Sequence, residues 1–105
     1  MTDKRIVLTT CGSEEEAEKI AQYLVENRLA ACVNIIPQMK SIYRWQGKVD
    51  LASEHLLIIK TRTDKLAQVQ VALRTLHSYG LPEFIALAID DGSTPYLDWI
   101  DDNVK

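Results

Sequence analysis

The stretch Phe84-Ile85-Ala86-Leu87-Ala88-Ile89 is apolar throughout. Successive residues of a β-strand point to opposite faces of a sheet, so a strand with one face in water alternates apolar and polar residues. This stretch does not alternate, and three others share the property. They are Ile6-Val7-Leu8, Ala31-Cys32-Val33 with Ile35-Ile36, and Leu56-Leu57-Ile58-Ile59. The sequence therefore predicts a sheet that is covered on both faces.

Two segments between these strands have the apolar spacing of amphipathic helices. Ser13 and Glu16 form a capping-box pattern at the start of the first helix, and Thr63 or Asp64 is the expected N-cap of the second. The apolar positions are Ala17, Ile20, Ala21 and Leu24 in the first helix and Leu66, Val69, Leu73 and Leu76 in the second. Two helices cover only one face, so we expect another copy of the chain on the other.

The order of elements predicts an α+β fold, a ferredoxin-like βαββαβ sandwich with both helices on one face of an antiparallel sheet. Thr94-Pro95 begins a short additional helix at the C-terminus, as N-cap and first helical residue. Pro37 marks an edge or bulge of the second strand, and Gln46-Gly47 turns a long hairpin between the second and third strands. Such a hairpin exposes strand edges unless a partner pairs with them.

Composition limits the classes of protein to consider. The chain has 105 residues, 47% of them hydrophobic, and a net charge of −3, which suits one domain over residues 1–105. The acidic balance argues against nucleic acid as a partner, and no segment has the length that membrane insertion needs. We expect a cytoplasmic protein in which Cys11 and Cys32 are reduced thiols.

Three separate stretches carry a resemblance to a known family. They are Leu29-Ala30-Ala31-Cys32-Val33-Asn34-Ile35-Ile36-Pro37, Ser41-Ile42-Tyr43-Arg44-Trp45-Gln46-Gly47-Lys48 and Tyr79-Gly80-Leu81-Pro82-Glu83. In this order they resemble the CutA divalent-cation tolerance proteins over nearly the whole chain. The resemblance implies a CutA-like domain in a tight homotrimer, an architecture similar to that of the PII signalling trimers.

The resemblance also bears on metal binding. Family members proposed to bind copper have a Cys in the first strand and a His pair after the second helix, at positions that here are Thr9 and Leu76-His77. His77 is thus the candidate ligand for copper or another divalent ion, with Cys11 and Glu83 as candidate helpers. The alternative for His77 is a loop residue that caps the second helix.

A second candidate site is a cleft between subunits. The residues that could line it are Tyr43, Trp45, Lys60, Tyr79 and Glu83. The aromatic residues near the hairpin tip could equally anchor a subunit interface, where Tyr, Trp and Arg are enriched. The functional hypothesis is a trimeric protein of divalent metal ion tolerance or response, and its alternative is a PII-like trimer that binds a small effector. No motif for an enzymatic nucleophile or a phosphate loop is present, so we expect no enzyme.

Overall fold

The computed structural model describes residues 2–105, which form four strands and three helices. In chain order the elements are β1 Lys4–Cys11, α1 Glu14–Glu26, β2 Cys32–Trp45, β3 Lys48–Arg62, α2 Leu66–Leu76, β4 Ile85–Ala88 and α3 Thr94–Asn103. A single 3-10 turn, Thr63–Lys65, leads into α2. The strands form one sheet in the order β2-β3-β1-β4, and each neighbouring pair is antiparallel.

Both long helices pack on the same face of the sheet. Val7 of β1 and Ile59 of β3 are paired in register, and both are fully buried beneath the helices. Ile20 of α1 and Leu73 of α2 reach the same cluster, which confirms the predicted apolar faces of the two helices. This half of the molecule is an ordinary two-layer core that the chain completes by itself.

The opposite face of the sheet is apolar and uncovered. Alternate residues of β1 emerge there, and the register places Leu8 beside Ile58 of β3 and Ile85 of β4. Leu87 and Ile36 belong to the same face and, with Ile85, keep nearly half of their surface exposed. The non-alternating strands are thereby confirmed as strands with two apolar faces, of which this chain buries one.

The C-terminal helix closes one end of the molecule. Ile100 of α3 and Val104 are fully buried against Ala31, which precedes β2. The Asp101 carboxylate forms ion pairs with Lys4 of β1 at 3.2 Å and with Arg62 of β3 at 3.3 Å. These contacts fix α3 to the ends of the two central strands.

The hairpin of β2 and β3 extends well beyond the rest of the sheet. A register shift between Ile36 and Met39, with Gln38 at a φ of 57°, confirms the bulge predicted at Pro37. Gln46 and Gly47 form the two-residue turn between the paired ends of the strands, with φ values of 50° and 82°. The outer half of the hairpin contacts little else, so its apolar side chains are exposed on both faces.

Three details at the helix ends differ from the sequence prediction. Neither Thr63 nor Asp64 caps α2, because the Asp64 carboxylate instead accepts two hydrogen bonds from the Arg62 guanidinium. The Ser13 hydroxyl accepts the backbone N–H of Glu16 as predicted, but the structure directs the Glu16 carboxylate to another part of the chain. The N-cap of α3 is Ser93 rather than Thr94.

Candidate functional site

Three potential metal ligands meet where β1, α1 and α2 come together. Cys11 is the last residue of β1, Glu16 lies in the first turn of α1, and His77 directly follows α2. One ligand atom from each of them lies within 4.8 Å of the other two. Because only Gly12 and Ser13 separate β1 from α1, the thiol and the carboxylate are close by connectivity, and the packing of α2 adds the imidazole.

Both ring nitrogens of His77 are engaged in hydrogen bonds. Nε2 lies 2.6 Å from the backbone oxygen of Thr10, which can only accept, so Nε2 carries the proton. Nδ1 accepts the backbone N–H of Tyr79 at 3.1 Å. The His77 side chain is fully buried. The resting imidazole is therefore the Nε2–H tautomer, and its single lone pair is already in use.

The Glu16 carboxylate is held near Nδ1 of the His77 imidazole. Its carboxylate accepts the backbone N–H of Ser78 at 2.8 Å and the Ser78 hydroxyl at 3.1 Å. The nearer oxygen to the imidazole lies 3.7 Å from Nδ1 of His77. A carboxylate fixed in this way suits the orientation of a histidine ligand, since metal-binding imidazoles commonly donate their second N–H to such a group.

The Cys11 thiol completes the cluster at the Nε2 side of the ring. Its Sγ lies 3.8 Å from Nε2 of His77. Burial, followed by the negative charges of Glu16 and Glu54, raises the pKa of the Cys11 thiol to about 12. The thiol is protonated at neutral pH, so a metal ion that binds it must displace a proton.

The donor set fits a metal ion by type and by spacing. Sγ of Cys11 and Nε2 of His77 are 3.8 Å apart, a spacing that one ion could span with bonds of about 2.3 Å to sulfur and about 2.05 Å to nitrogen. Thiol, imidazole and carboxylate together suit copper or zinc better than magnesium or calcium. Binding requires His77 to give up at least one of its two hydrogen bonds.

A second group of polar residues adjoins this cluster at the base of the hairpin. The Tyr79 hydroxyl donates to the Glu54 carboxylate at 2.8 Å, and burial, followed by this bond, raises the pKa of Tyr79. Burial and the charge of Glu54 also raise the pKa of Glu83. Tyr43 is close enough to affect Tyr79 electrostatically. The carboxylates of Glu54 and Glu83 give this group a negative potential.

The structure brings together only part of the predicted cleft. Tyr79 and Glu83 lie near Glu54, and Tyr43 lies near Tyr79, whereas the Lys60 ammonium donates to the Tyr96 hydroxyl at 3.2 Å. Trp45 is at the hairpin tip and half exposed. Within a single chain the predicted residues are thus at three places.

The relation of the other candidates to His77 is also clear. Cys11 is adjacent to the imidazole, while the neighbour of Glu83 is Glu54. Glu16, which the sequence suggested only as a capping residue, belongs to the cluster. In the sequence, the one sign that Glu16 could join a metal site is that it lies in the first turn of the helix directly after the strand that ends at Cys11.

Together the fold and the cluster define a class: small α+β proteins with a buried thiol, a buried imidazole and a partly exposed carboxylate where the first strand meets two helices. The chain belongs to the family described as CutA1 divalent ion tolerance protein, whose model matches residues 5–103.

Relatives and solved structures agree with this assignment. The divalent-cation tolerance protein CutA of Thermus thermophilus is 49% identical over 95% of this chain and 97% of its own length. The human protein CutA is 46% identical over 87% of this chain and 51% of its own. A solved structure of the Thermus thermophilus protein has a TM-score of 0.95 and 48% identity, covering 97% of this chain and 99% of that one. The names of the Thermus thermophilus relative and its structure describe divalent cation tolerance, and none of the three names states an enzymatic activity.

Within residues 2–105, no helix is long and apolar enough to cross a membrane. The names of relatives place them in more than one compartment. The plant relative from Arabidopsis thaliana is named chloroplastic, and the Archaeoglobus fulgidus structure is described as periplasmic. The family name therefore does not by itself specify a location.

Proposed function

We propose that this protein is a cytoplasmic homotrimer that binds copper or another divalent metal ion through His77 and thereby takes part in metal tolerance. The observation that carries the proposal is the cluster of Cys11, Glu16 and His77, in which three different ligand types lie within 4.8 Å of one another. Thiol and imidazole are ligands that copper and zinc prefer. When bound, the ion provides a charge and a cross-link at the junction of β1, α1 and α2.

The oligomeric part of the proposal rests on the uncovered face. The strand order β2-β3-β1-β4 is the order expected of a ferredoxin-like sandwich, whose second face needs a partner when it is apolar. A few hundred Å² of apolar surface buried per subunit contributes several kcal/mol at ~25 cal/mol/Å². The long hairpin supplies free strand edges for pairing between copies. Both features support a homotrimer of the kind that the family resemblance implies.

Electrostatics favour a metal ion over the PII-like alternative. The Glu16 carboxylate lies beside His77, and the carboxylates of Glu54 and Glu83 lie in the adjoining group at the base of the hairpin. Lys60, which could have attracted an anionic effector, is engaged with Tyr96 instead. A negative site attracts cations and repels phosphate groups. Small anionic effectors such as nucleotides are therefore the weaker candidates for this place in the subunit.

Location and chemistry follow from the same residues. Cys11 and Cys32 are both free thiols, which suits the reducing cytoplasm. We propose a binding protein rather than an enzyme, because the family and its Thermus thermophilus relative are named for divalent cation tolerance and not for an enzymatic activity. Cell fractionation followed by detection of the chain tests the location, and recovery outside the cytoplasm contradicts it.

Calorimetric titration with copper tests the metal site. We expect His77→Ala to reduce copper affinity at least tenfold, because the ion loses a nitrogen ligand. The matched control is His55→Ala, which removes the other histidine of the chain and should leave the affinity within about twofold of the parent. Titration with ATP in the same series should give no heat of binding. If His77→Ala binds copper as tightly as the parent, His77 is structural and the proposed metal site is wrong.

A further inference from the structure

We infer that Tyr79 is a latch on the metal site, because His77 cannot bind an ion while Tyr79 keeps its present position. This inference rests on the proposed role of His77 as a metal ligand and adds how binding is regulated. It predicts that metal loading shifts the backbone at Tyr79, and that the Tyr79–Glu54 hydrogen bond opposes loading.

The first step is the lone pair of the imidazole. A metal ion needs a ring nitrogen without a proton, and in the resting tautomer that nitrogen is Nδ1 of His77. Nδ1 accepts the backbone N–H of Tyr79 at 3.1 Å. An ion about 2.0–2.1 Å from Nδ1 would occupy the space in front of that amide. The amide must therefore move before the ion can bind there.

The second step is the other tautomer. An ion that binds Nε2, on the side of Cys11, requires the proton to move to Nδ1. The N–H groups of Nδ1 and of Tyr79 would then face each other at the present separation of 3.1 Å, and two donors cannot share a hydrogen bond. Binding at Nε2 thus displaces the Tyr79 amide as well. Rotation of the imidazole away from its buried position would also break the hydrogen bond from the Tyr79 amide to Nδ1.

The third step is what holds Tyr79 in place. Its hydroxyl donates to the Glu54 carboxylate at 2.8 Å, and its ring lies 4.6 Å from the imidazole of His77. The hydroxyl also packs over Gly12, where a Cβ would approach it to 3.0 Å. Tyr79 is therefore held at two points. Glu54 binds its hydroxyl, and Nδ1 of His77 binds its backbone amide. A shift of the amide pulls on the bond to Glu54, which belongs to β3 at the base of the hairpin.

Amide hydrogen exchange on the unaltered protein tests this directly. Zinc(II) alone is the probe, because it has the same ligand preferences here and does not broaden NMR signals. We expect the Tyr79 amide to exchange at least tenfold faster in the zinc-loaded protein than in the metal-free one. The Thr63 amide, which donates to Asp3 in another part of the molecule, serves as the internal control and should not change.

Zinc affinity of Tyr79→Phe provides the second measurement. This variant removes only the hydroxyl that binds Glu54, so we expect binding about tenfold tighter than in the parent, because loading no longer breaks that bond. Tyr96→Phe is the matched control. It also removes one bonded hydroxyl, at a distance from His77, and should bind zinc like the parent.

The outcomes separate the two proposals. If His77→Ala abolishes zinc binding while the Tyr79 amide and the affinity of Tyr79→Phe stay unchanged, the latch is wrong and the metal site stands. If His77→Ala leaves zinc affinity unchanged, both are wrong. The exchange measurement needs no variant, so the latch is tested even if Tyr79→Phe does not fold.

Discussion

Two buried threonines on the helix-covered face of the sheet show how one hydroxyl can have opposite effects on stability. Thr9 and Thr61 are both fully buried. The Thr61 hydroxyl donates to the backbone oxygen of Leu29 at 2.6 Å, whereas the Thr9 hydroxyl has no hydrogen-bond partner within residues 2–105. A buried polar group without a hydrogen-bond partner destabilises the folded state, and one with a partner stabilises it. Thr9 also occupies the position where copper-binding family members are proposed to have a cysteine.

Thr9→Val should therefore stabilise the fold and Thr61→Val should destabilise it. Valine has nearly the shape of threonine, so the first change removes only an unpaired hydroxyl and should raise the free energy of unfolding by about 1 kcal/mol. The second change leaves the Leu29 carbonyl unpaired and should lower it by about 1–3 kcal/mol. Urea denaturation at one fixed chain concentration measures both, because association otherwise alters the apparent stability. Equal losses in the two variants would contradict this account.

His77 illustrates how burial changes an expectation based on sequence. A loop histidine that merely caps a helix would cost about 1–2 kcal/mol when changed to alanine, the loss of a hydrogen bond or two. The observed side chain is fully buried and has partners at both ring nitrogens. Removal of the imidazole breaks its hydrogen bonds with the Thr10 carbonyl and the Tyr79 amide. It also leaves a cavity where the ring was buried. The stability of His77→Ala must therefore be checked alongside its metal affinity.

At the scale of elements, the hairpin of β2 and β3 depends on its tight turn. Gln46 and Gly47 both have positive φ, which is the backbone of a type I′ turn and matches the twist of the two strands. Glycine adopts this conformation at no steric cost, whereas residues with a Cβ are strained there. The turn positions the pairing of Trp45 with Lys48 and, through it, the register of the outer hairpin.

Gly47→Ala should lower the free energy of unfolding by about 1 kcal/mol. The matched control is Gly80→Ala, since an added Cβ at either glycine meets no atom within 4 Å and only Gly47 has a positive φ. Gly80→Ala should be neutral or stabilising by a few tenths of a kcal/mol, about the effect of restricting the unfolded chain. Thermal denaturation of both variants at equal concentration measures the difference, and a larger loss at Gly80 would argue against backbone strain at the turn.

At the scale of the whole molecule, the two faces of the sheet have different roles. The face under α1 and α2 completes the core of one chain, and the other leaves Ile36, Ile85 and Leu87 nearly half exposed. A face of this kind is rare on a stable monomer, because large exposed apolar patches favour association. In the proposed trimer, adjacent residues of β3 serve different purposes: one is buried in the core of its own chain and the next is available for contact with another copy.

Ile58 and Ile59 separate these two roles. Ile59 is fully buried beneath the helices, so Ile59→Lys should prevent folding, as judged by loss of the circular dichroism signal. Ile58 emerges on the uncovered face, so Ile58→Lys should keep the secondary structure but give an 11.9 kDa monomer in light scattering. A parent chain that is itself a stable monomer at micromolar concentration would contradict the proposed trimer. A folded, assembled Ile59→Lys variant would contradict the placement of the core.

The sequence by itself determined the order of the elements and their apolar faces. Local patterns were sufficient for this: Ser13 caps α1, Pro37 marks the bulge, and the strands that do not alternate have two apolar faces. These features depend on neighbours in the chain or on a repeat along one element, so they can be read without knowing what the element packs against.

Only the tertiary structure decided the composition of the site. Glu16 and His77 are 61 positions apart, and no periodicity relates them. Their distance depends on how α2 packs beside α1. The Glu16 carboxylate accepts hydrogen bonds from the backbone N–H and the hydroxyl of Ser78 rather than from the N-terminus of its own helix. The same packing surrounds the His77 ring with Thr10 and Tyr79, which fixes its tautomer. Contacts between residues distant in sequence arise from packing in three dimensions, and for that reason the latch at Tyr79 could not be inferred from the sequence.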